Sequence, residues 1–349
     1  MDIGLDQYSL HHLHHLPGTN GTTLLSEVKR FGLAGLQFSS VRQLSPSFDM
    51  GELRAVRDDA IAAGLYLEGG IPAPNPLRPG PLAIRDGDGD LLLGLRRHLE
   101  ALAEIVVGSR AMRCFVASPG DRLRAGTAWA DHVEGTTATT RLLLPLLRDL
   151  DLKLAFETHA DTTTHELIRL CEQTDPERVG ICLDTGNLVI TLEDPLEAAR
   201  RAAPYTLATQ IKDGIVVFGE DGLAFNPRAL GDGIVALPEI VQELSRHNPT
   251  VKLSIEDHGR VFQIPIFRDE YLATFAELPA IELAHVVRFG HQCEQRIAAG
   301  ALASVDEAEA LPWADRVDDR IRRGTAYLRG VVREIVTQRD LAEGIARPM

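Results

Sequence analysis

The sequence predicts an α/β chain: a (β/α)8 TIM barrel followed by a C-terminal helical extension. Three observations predict it. Eight short apolar segments recur along the 349 residues, and each is followed by a stretch of helical periodicity. That strict alternation means parallel strands joined by crossover helices. No glycine-rich phosphate turn follows the first segment, where an open doubly wound sheet would normally carry one.

The apolar segments are residues 3–8, 35–38, 65–71, 112–117, 152–158, 179–184, 207–212 and 251–256. Most have the length and near-continuous apolar character of strands buried on both faces. Amphipathic stretches lie between them, at 24–31, 50–63, 90–107, 131–150 and 238–246. In the last, Pro238 sits where a first-turn proline belongs, with Ile240, Val241 and Leu244 on one face. Two breaker-rich loops interrupt the alternation, at 72–90 (Pro72, Pro74, Pro76, Pro79, Pro81) and at 118–130. Both are expected at the barrel mouth, shaping substrate access. The barrel pattern occupies residues 1–278. In the extension, 279–349, residues 315–339 read as a helix with Val317, Ile321, Leu328, Val331 and Ile335 on its apolar face. That extension is expected either to pack on the barrel or to serve homo-oligomer assembly.

Composition narrows the function. A formal net charge of −14 disfavours a nucleic-acid partner, because phosphate binding is driven by basic surfaces. No apolar run has the length of a membrane span, and Met1-Asp2-Ile3-Gly4 lacks the features of a signal peptide. The expectation is a cytoplasmic protein with neither membrane nor nucleic-acid partner. Cys114, Cys171, Cys182 and Cys293 form no CxxC pair and read as reduced thiols. The cluster His11-His12 and His14-His15 follows the first strand and reads as part of a βα loop.

Barrel enzymes gather their chemistry at the C-terminal ends of strands. Those ends read Ala155-Phe156-Glu157-Thr158-His159, Cys182-Leu183-Asp184-Thr185-Gly186-Asn187, Thr209-Gln210-Ile211-Lys212-Asp213 and Ser254-Ile255-Glu256-Asp257-His258. Strand alternation puts Glu157 with His159, Gln210 with Lys212, and Glu256 with His258. Glu157, Asp184, Gln210 and Glu256 are thus expected to converge. Three carboxylates and an amide in a low-dielectric mouth repel one another unless a cation neutralises them. Oxygen donors suit one divalent metal ion, Mn²⁺ first, with Mg²⁺ or Co²⁺ as alternatives.

These motifs resemble the xylose isomerase-like barrels: ketose 3-epimerases, sugar-phosphate isomerase/epimerase proteins, inosose dehydratases and 3-dehydroshikimate dehydratases. The family ends strand 5 on Glu, often as E-x-H, strand 6 on Asp, strand 7 on His before Lys-Asp, and strand 8 on Glu. The turn Gly231-Asp232-Gly233 also resembles the family's loop before helix 7. The resemblance covers roughly residues 1–275. It implies that Glu157, Asp184, Gln210 and Glu256 are metal ligands and that Glu157 and Glu256 act as acid and base on opposite faces of a sugar. Two departures stand out. Gln210 replaces the usual His ligand and would bind transition metals less strongly, and Asn187 stands where ketose epimerases often carry His.

A metal on a carbonyl and its neighbouring hydroxyl acidifies the carbon between them. Epimerisation, isomerisation and β-elimination can all follow from that one geometry. The expected activity is sugar isomerase or epimerase. The alternative is a lyase acting on a keto-sugar, an inosose or a 3-oxo-glycoside, as in relatives that cleave 3-oxo-C-glycosides. His159 and His258 are proton carriers or supports for a carboxylate. Lys212 either faces an oxyanion or pairs with a ligand carboxylate. Asn187 is a candidate substrate contact, as are Glu68 and Gln37 at the ends of strands 3 and 2. An endonuclease IV-type nuclease would need more His ligands and a basic face, which Gln210, Asn187 and the acidic charge oppose. An inactive sugar-binding barrel is the non-enzyme alternative, and the intact Glu157, Asp184 and Glu256 oppose it.

Overall fold

The computed structural model describes residues 1–13, 16, 18–124 and 126–342. Eight parallel strands form one sheet: β1 (Ile3–Asp6), β2 (Gly35–Gln37), β3 (Tyr66–Glu68), β4 (Ala111–Cys114), β5 (Lys153–Glu157), β6 (Val179–Asp184), β7 (Thr206–Ile211) and β10 (Leu253–Ile255). Their order is β3-β2-β1-β10-β7-β6-β5-β4. The ends meet through a parallel bridge between Gly70 and Arg113, with Arg113 N donating to Gly69 O at 2.9 Å and Ile71 N to Arg113 O at 2.8 Å. The sheet is therefore nearly closed, with helices around it, and each of the eight apolar segments supplies one strand.

Local chemistry sets the helix starts. Asn20, Asp49, Asp90 and Asp194 each cap a following helix through a side-chain oxygen, satisfying N–H groups that the helix cannot. Thr163 and Glu166 form a reciprocal capping box. At the lower end of the barrel, Gly4 and Gly35 make room for the Tyr66 ring. A Cβ on Gly35 would lie 2.2 Å from Tyr66 Cγ, and one on Gly4 would lie 1.9 Å from Tyr66 Oη.

A feature absent from the expectations is a second, antiparallel sheet of order β11-β9-β8. Strands β8 (Asp213–Gly219) and β9 (Gly222–Arg228) form a hairpin that begins directly after β7, and β11 (Phe262–Ile264) joins β9. Val216, Leu223, Phe225 and Ile264 pack with Val286 of the helix Ala280–Ala298 into a core of their own. Asp213 locks the loop that follows. Its carboxylate accepts from the backbone N–H of Gly214, Gly231, Gly233 and Val235 at 2.8–3.1 Å. A Cβ on Gly233 would meet Asp213 Oδ1 at 2.1 Å, so the Gly231-Asp232-Gly233 turn is shaped around that carboxylate.

The C-terminal helix Trp313–Ala342 buries Val317, Ile321 and Leu328 in the same apolar core as the barrel. Trp313 Nε1 donates to Ser9 O at 3.1 Å, and Arg320 grips Asp257 bidentately at 2.8 and 2.5 Å. The extension is thus tied to both β1 and β10. Residues 343–349 of the expected extension, and His14 and His15 of the histidine cluster, lie outside the described residues. The four cysteines are buried and unbridged. Among the described residues, no helix is long and apolar enough to cross a membrane.

Candidate active site

Strand β5 ends at Glu157 and β6 at Asp184, while Lys212 and Glu256 directly follow β7 and β10. All four side chains are nearly or fully buried. Carboxylate oxygens of Glu157, Asp184 and Glu256 lie within 4.8 Å of one another. Above them opens a cavity of about 540 Å³, lined among others by Tyr8, Arg113, Glu157, His159, Lys212 and Glu256. Pro119 and Gly120 of the 118–130 loop contribute to its wall, and the 72–90 loop does not; that loop instead holds a short helix, Pro81–Asp86.

Two cations sit among the acids. Lys212 Nζ lies 2.7 Å from Asp184 Oδ2, 3.1 Å from Glu256 Oε1 and 3.2 Å from Asn187 Oδ1. Arg113, on β4, bridges Glu157 and Ser39. Asp6, at the end of β1, is a fourth buried acid: its Oδ1 accepts from Tyr8 N at 2.7 Å and its Oδ2 from Gln210 Nε2 at 3.2 Å. Four carboxyl groups therefore face two cations in a buried site.

Their proton affinities record that imbalance. Burial pushes Asp184 up to about 7 despite Lys212. Burial and the nearby Glu256 bring Asp6 to about 7. Glu157 is raised by burial, against the pull of Arg113. Glu256 alone goes the other way, because Lys212 and His258 outweigh its burial. Lys212 is itself raised, its carboxylate neighbours overcoming desolvation. A divalent cation would supply the missing positive charge, and two buried oxygens are ready for one. Glu256 Oε2 and Gln210 Oε1 have no hydrogen-bond partner among the described residues, a costly state for buried acceptors. The donor set thus fits a metal.

The expected residues divide as follows. Gln210 is in register with Asp184, one layer below the cavity, and its amide N–H₂ is turned to Asp6. The β7 side chain that contacts the carboxylates directly is Lys212. Asp184 Oδ1 also accepts from the N–H of Gly186 and Asn187, each at 3.0 Å. His159 stacks on Phe115 with ring centroids 4.4 Å apart. His258 Nε2 lies 3.5 Å from Glu256 Oε1, and its ring meets Tyr8 edge-on at 5.2 Å. Both histidines line the cavity, and burial lowers the proton affinity of each. Gln37 and Glu68 are not brought to the mouth. Gln37 Nε2 donates to Glu68 Oε2 at 2.7 Å and to Thr209 O at 3.2 Å. Ser109, just before β4, donates to Glu68 Oε1 at 2.7 Å. The β3 backbone continues past Glu68 to Ile71, which leaves Glu68 deep in the barrel instead of at its rim.

Arg113, Asp6 and the aromatic wall of Tyr8, Phe115 and Phe262 were not anticipated. Arg113 had a readable signal: a charged residue inside an otherwise apolar buried strand needs a partner. Of the histidine cluster, His11 stacks between Tyr8 at 5.3 Å and Trp313 at 5.7 Å, a packing role at the cavity's edge.

Comparison with known proteins agrees with this architecture. Residues 25–274 match the family described as xylose isomerase-like TIM barrel. The chain is 39% identical over 57 residues to an inosose dehydratase of Lacticaseibacillus casei, covering 16% of this chain and 19% of that one. It is 26% identical over 121 residues to a 3-oxo-isoapionate decarboxylase of Pectobacterium atrosepticum, covering 34% and 44%. The matches thus span less than half the length of these curated relatives. A D-psicose 3-epimerase from Clostridium cellulolyticum, solved with D-tagatose, superposes with a TM-score of 0.57 at 15% identity, over 84% of this chain and 99% of that one. That likeness shows the shared fold.

Proposed function

The chain belongs to the xylose isomerase-like TIM barrel family, and from that premise we propose that it is a divalent-metal-dependent sugar isomerase or epimerase. One observation carries the reading. Three buried carboxylates converge within 4.8 Å at the barrel mouth, and Glu256 Oε2 is unpartnered among the described residues, as is Gln210 Oε1 on the neighbouring strand. Glu157, Asp184, Gln210 and Glu256 would hold the ion, Mn²⁺ by preference. When bound, the ion would polarise the substrate carbonyl and acidify the adjacent carbon.

The chain's own groups then supply proton handling and orientation. Glu256 is held ionised by Lys212 and His258, which suits a base. Glu157 holds its proton more readily, which suits an acid; two carboxyl groups with opposite environments divide those roles. Lys212 spends its three N–H donors on Asp184, Glu256 and Asn187, which leaves the Asn187 N–H₂ group to meet a substrate oxygen. Tyr8, Phe115 and Phe262 offer apolar faces against which a sugar ring can lie. The small polyhydroxylated substrates named for the relatives fit a cavity of about 540 Å³.

β-Elimination is the second reading, favoured by the placement of His159 and His258 in the same cavity, each able to protonate a leaving group. The match to an inosose dehydratase also leans that way. One experiment tests both readings. The Mn²⁺-loaded protein is incubated in D₂O with ketoses, inososes and 3-oxo-glycosides, with mass detection of products. An isomeric product one mass unit heavier, from solvent deuterium at carbon, supports the first reading, and loss of water or an aglycone supports the second. No exchange and no product from any of them overturns the proposal.

A further inference from the structure

Behind the barrel mouth, between the β8–β9 hairpin and the C-terminal helices, lies a second cavity of about 390 Å³. It shares no lining residue with the mouth. Five arginines line it: Arg228, Arg296, Arg316, Arg320 and Arg323. Three have carboxylate partners. Arg316 is held by Glu309, Arg320 by Asp257, and Arg323 by Asp232 and Asp319. Arg228 and Arg296 pair with no carboxylate among the described residues.

Arg228 is the informative one. It is only 7% exposed, and a buried guanidinium with no carboxylate in direct contact is costly. Its hydrogen bonds run from Nη2 alone, to Ala303 O at 3.1 Å and Ser304 O at 3.2 Å. The N–H groups on Nε and Nη1 have no partner among the described residues. Desolvation, then the adjacent positive charges of Arg320 and Arg316, make its protonated form less favourable than usual, against the pull of Glu309. Arginine nevertheless stays charged in proteins. In a chain of net charge −14, this is a local positive well in which Arg228 keeps Nε and Nη1 donors free to meet the oxygens of an anion.

We propose that this cavity is a phosphate-binding site, separate from the mouth, that takes orthophosphate or the phosphate monoester of a small metabolite. Its volume lies at the small end of the ~300–1,000 Å³ of ligand pockets. Arg228 and Arg296 supply the uncompensated charge, with Arg316, Arg320 and Arg323 around them. Occupancy would be felt at the mouth through Arg320, whose other face grips Asp257 between Glu256 and His258. A second route is β9, where Arg228 is in register with Asp213, the residue after Lys212. The site therefore reads as an effector site.

Calorimetric titration of the full chain with orthophosphate and with fructose 6-phosphate, at chloride-matched ionic strength, tests this. Saturable binding is expected, and Arg228→Gln and Arg296→Gln should each weaken it about tenfold or more, as loss of a charge-assisted contact does. Arg296 is exposed, so that variant folds even if Arg228→Gln does not. Arg260→Gln, at the rim of the mouth, should leave the affinity unchanged. Tighter binding of the ester identifies a metabolite as ligand, and equal affinities identify free phosphate. Absence of saturable binding, or binding lost in Arg260→Gln and retained in Arg296→Gln, overturns the proposal.

Discussion

Glu68 and Glu256 are two buried glutamates of one barrel, both read from sequence as strand-end residues, and they live in opposite electrostatic worlds. Glu68 sits deep in the barrel with both oxygens occupied, by Gln37 and Ser109 at 2.7 Å each, and burial lifts it to about 7. Glu256 sits at the mouth with one oxygen on Lys212 at 3.1 Å, the other unpartnered, and its proton affinity driven down. Position along a strand does not separate a structural acid from a chemical one. Satisfaction does: a carboxylate with complete hydrogen bonding has finished its work, and one with a bare buried oxygen and a cation beside it is waiting for a ligand.

The sharpest way to break this comparison is to neutralise the mouth. Glu256→Gln and Glu157→Gln should each lower kcat by about 10²–10⁴-fold, the usual cost of a lost acid or base. Circular dichroism should show both variants folded. A variant retaining full turnover would make the mouth carboxylates as structural as Glu68. Metal dependence comes next. Chelation should abolish turnover and Mn²⁺ should restore it. A ligand at ~100 times its Kd adds about 2.7 kcal/mol of stability, and Glu256→Gln should lose that Mn²⁺-dependent rise in Tm. Full turnover in chelator, with no metal found by mass spectrometry, would remove the metal from the argument.

Smaller effects grade the neighbours. Under the isomerase reading, His258→Asn and His159→Asn should cost only ~10–100-fold, as supporting residues do. A loss as deep as that of Glu256→Gln points to a leaving group that needs its own acid. Gln210→His should tighten Mn²⁺ binding, measured by calorimetry, since imidazole is the stronger donor; weaker binding would take Gln210 out of the ligand set.

The smallest effect on turnover belongs to Glu68→Gln, expected to stay within about threefold because Ser109 can rotate its hydroxyl to accept from the new amide. Its signature is in stability. The folded-state pKa of Glu68, about 7 against an ordinary 4.5, means that the native state holds a proton the unfolded state has released. Stability is full below about pH 4.5 and falls as pH rises toward 7. Glu68→Gln removes that slope and should gain on the wild type at pH 8 by about 3 kcal/mol. Parallel Tm–pH curves would show that Glu68 is ionised in the fold.

Much of this was legible because period and punctuation are local. The eight strands are short apolar runs, and their buried ends carry Glu157, Asp184 and Glu256 in a spacing that survives any error of one residue. Glu68 does end β3, but the ladder contacts run on through Gly69 to Ile71, so the end of that strand is not the rim of the barrel, and a glycine pair gives no sign of this. The β8–β9 hairpin was missed because it starts without a break after β7. Its signal was nonetheless present: the turn-rich run Gly219-Glu220-Asp221-Gly222 stands between Ile215–Phe218 and Leu223–Phe225. Arg113 and Asp6 depend on which strands become neighbours across the closure of the barrel, and no local pattern encodes that.

The bond from Trp313 Nε1 to Ser9 O spans 304 residues, and Arg320 reaches Asp257 from the same helix. The wall behind Tyr8 and the clamp on the segment holding Glu256 and His258 are therefore built from residues that leave the ribosome well after the last barrel strand. At ~5–20 residues per second, the segment from 256 to 320 takes several seconds to follow. During that interval a nascent barrel can close while its mouth still lacks its outer support. Completion of the barrel mouth is thus a late event of synthesis, timed by a helix that lies outside the barrel.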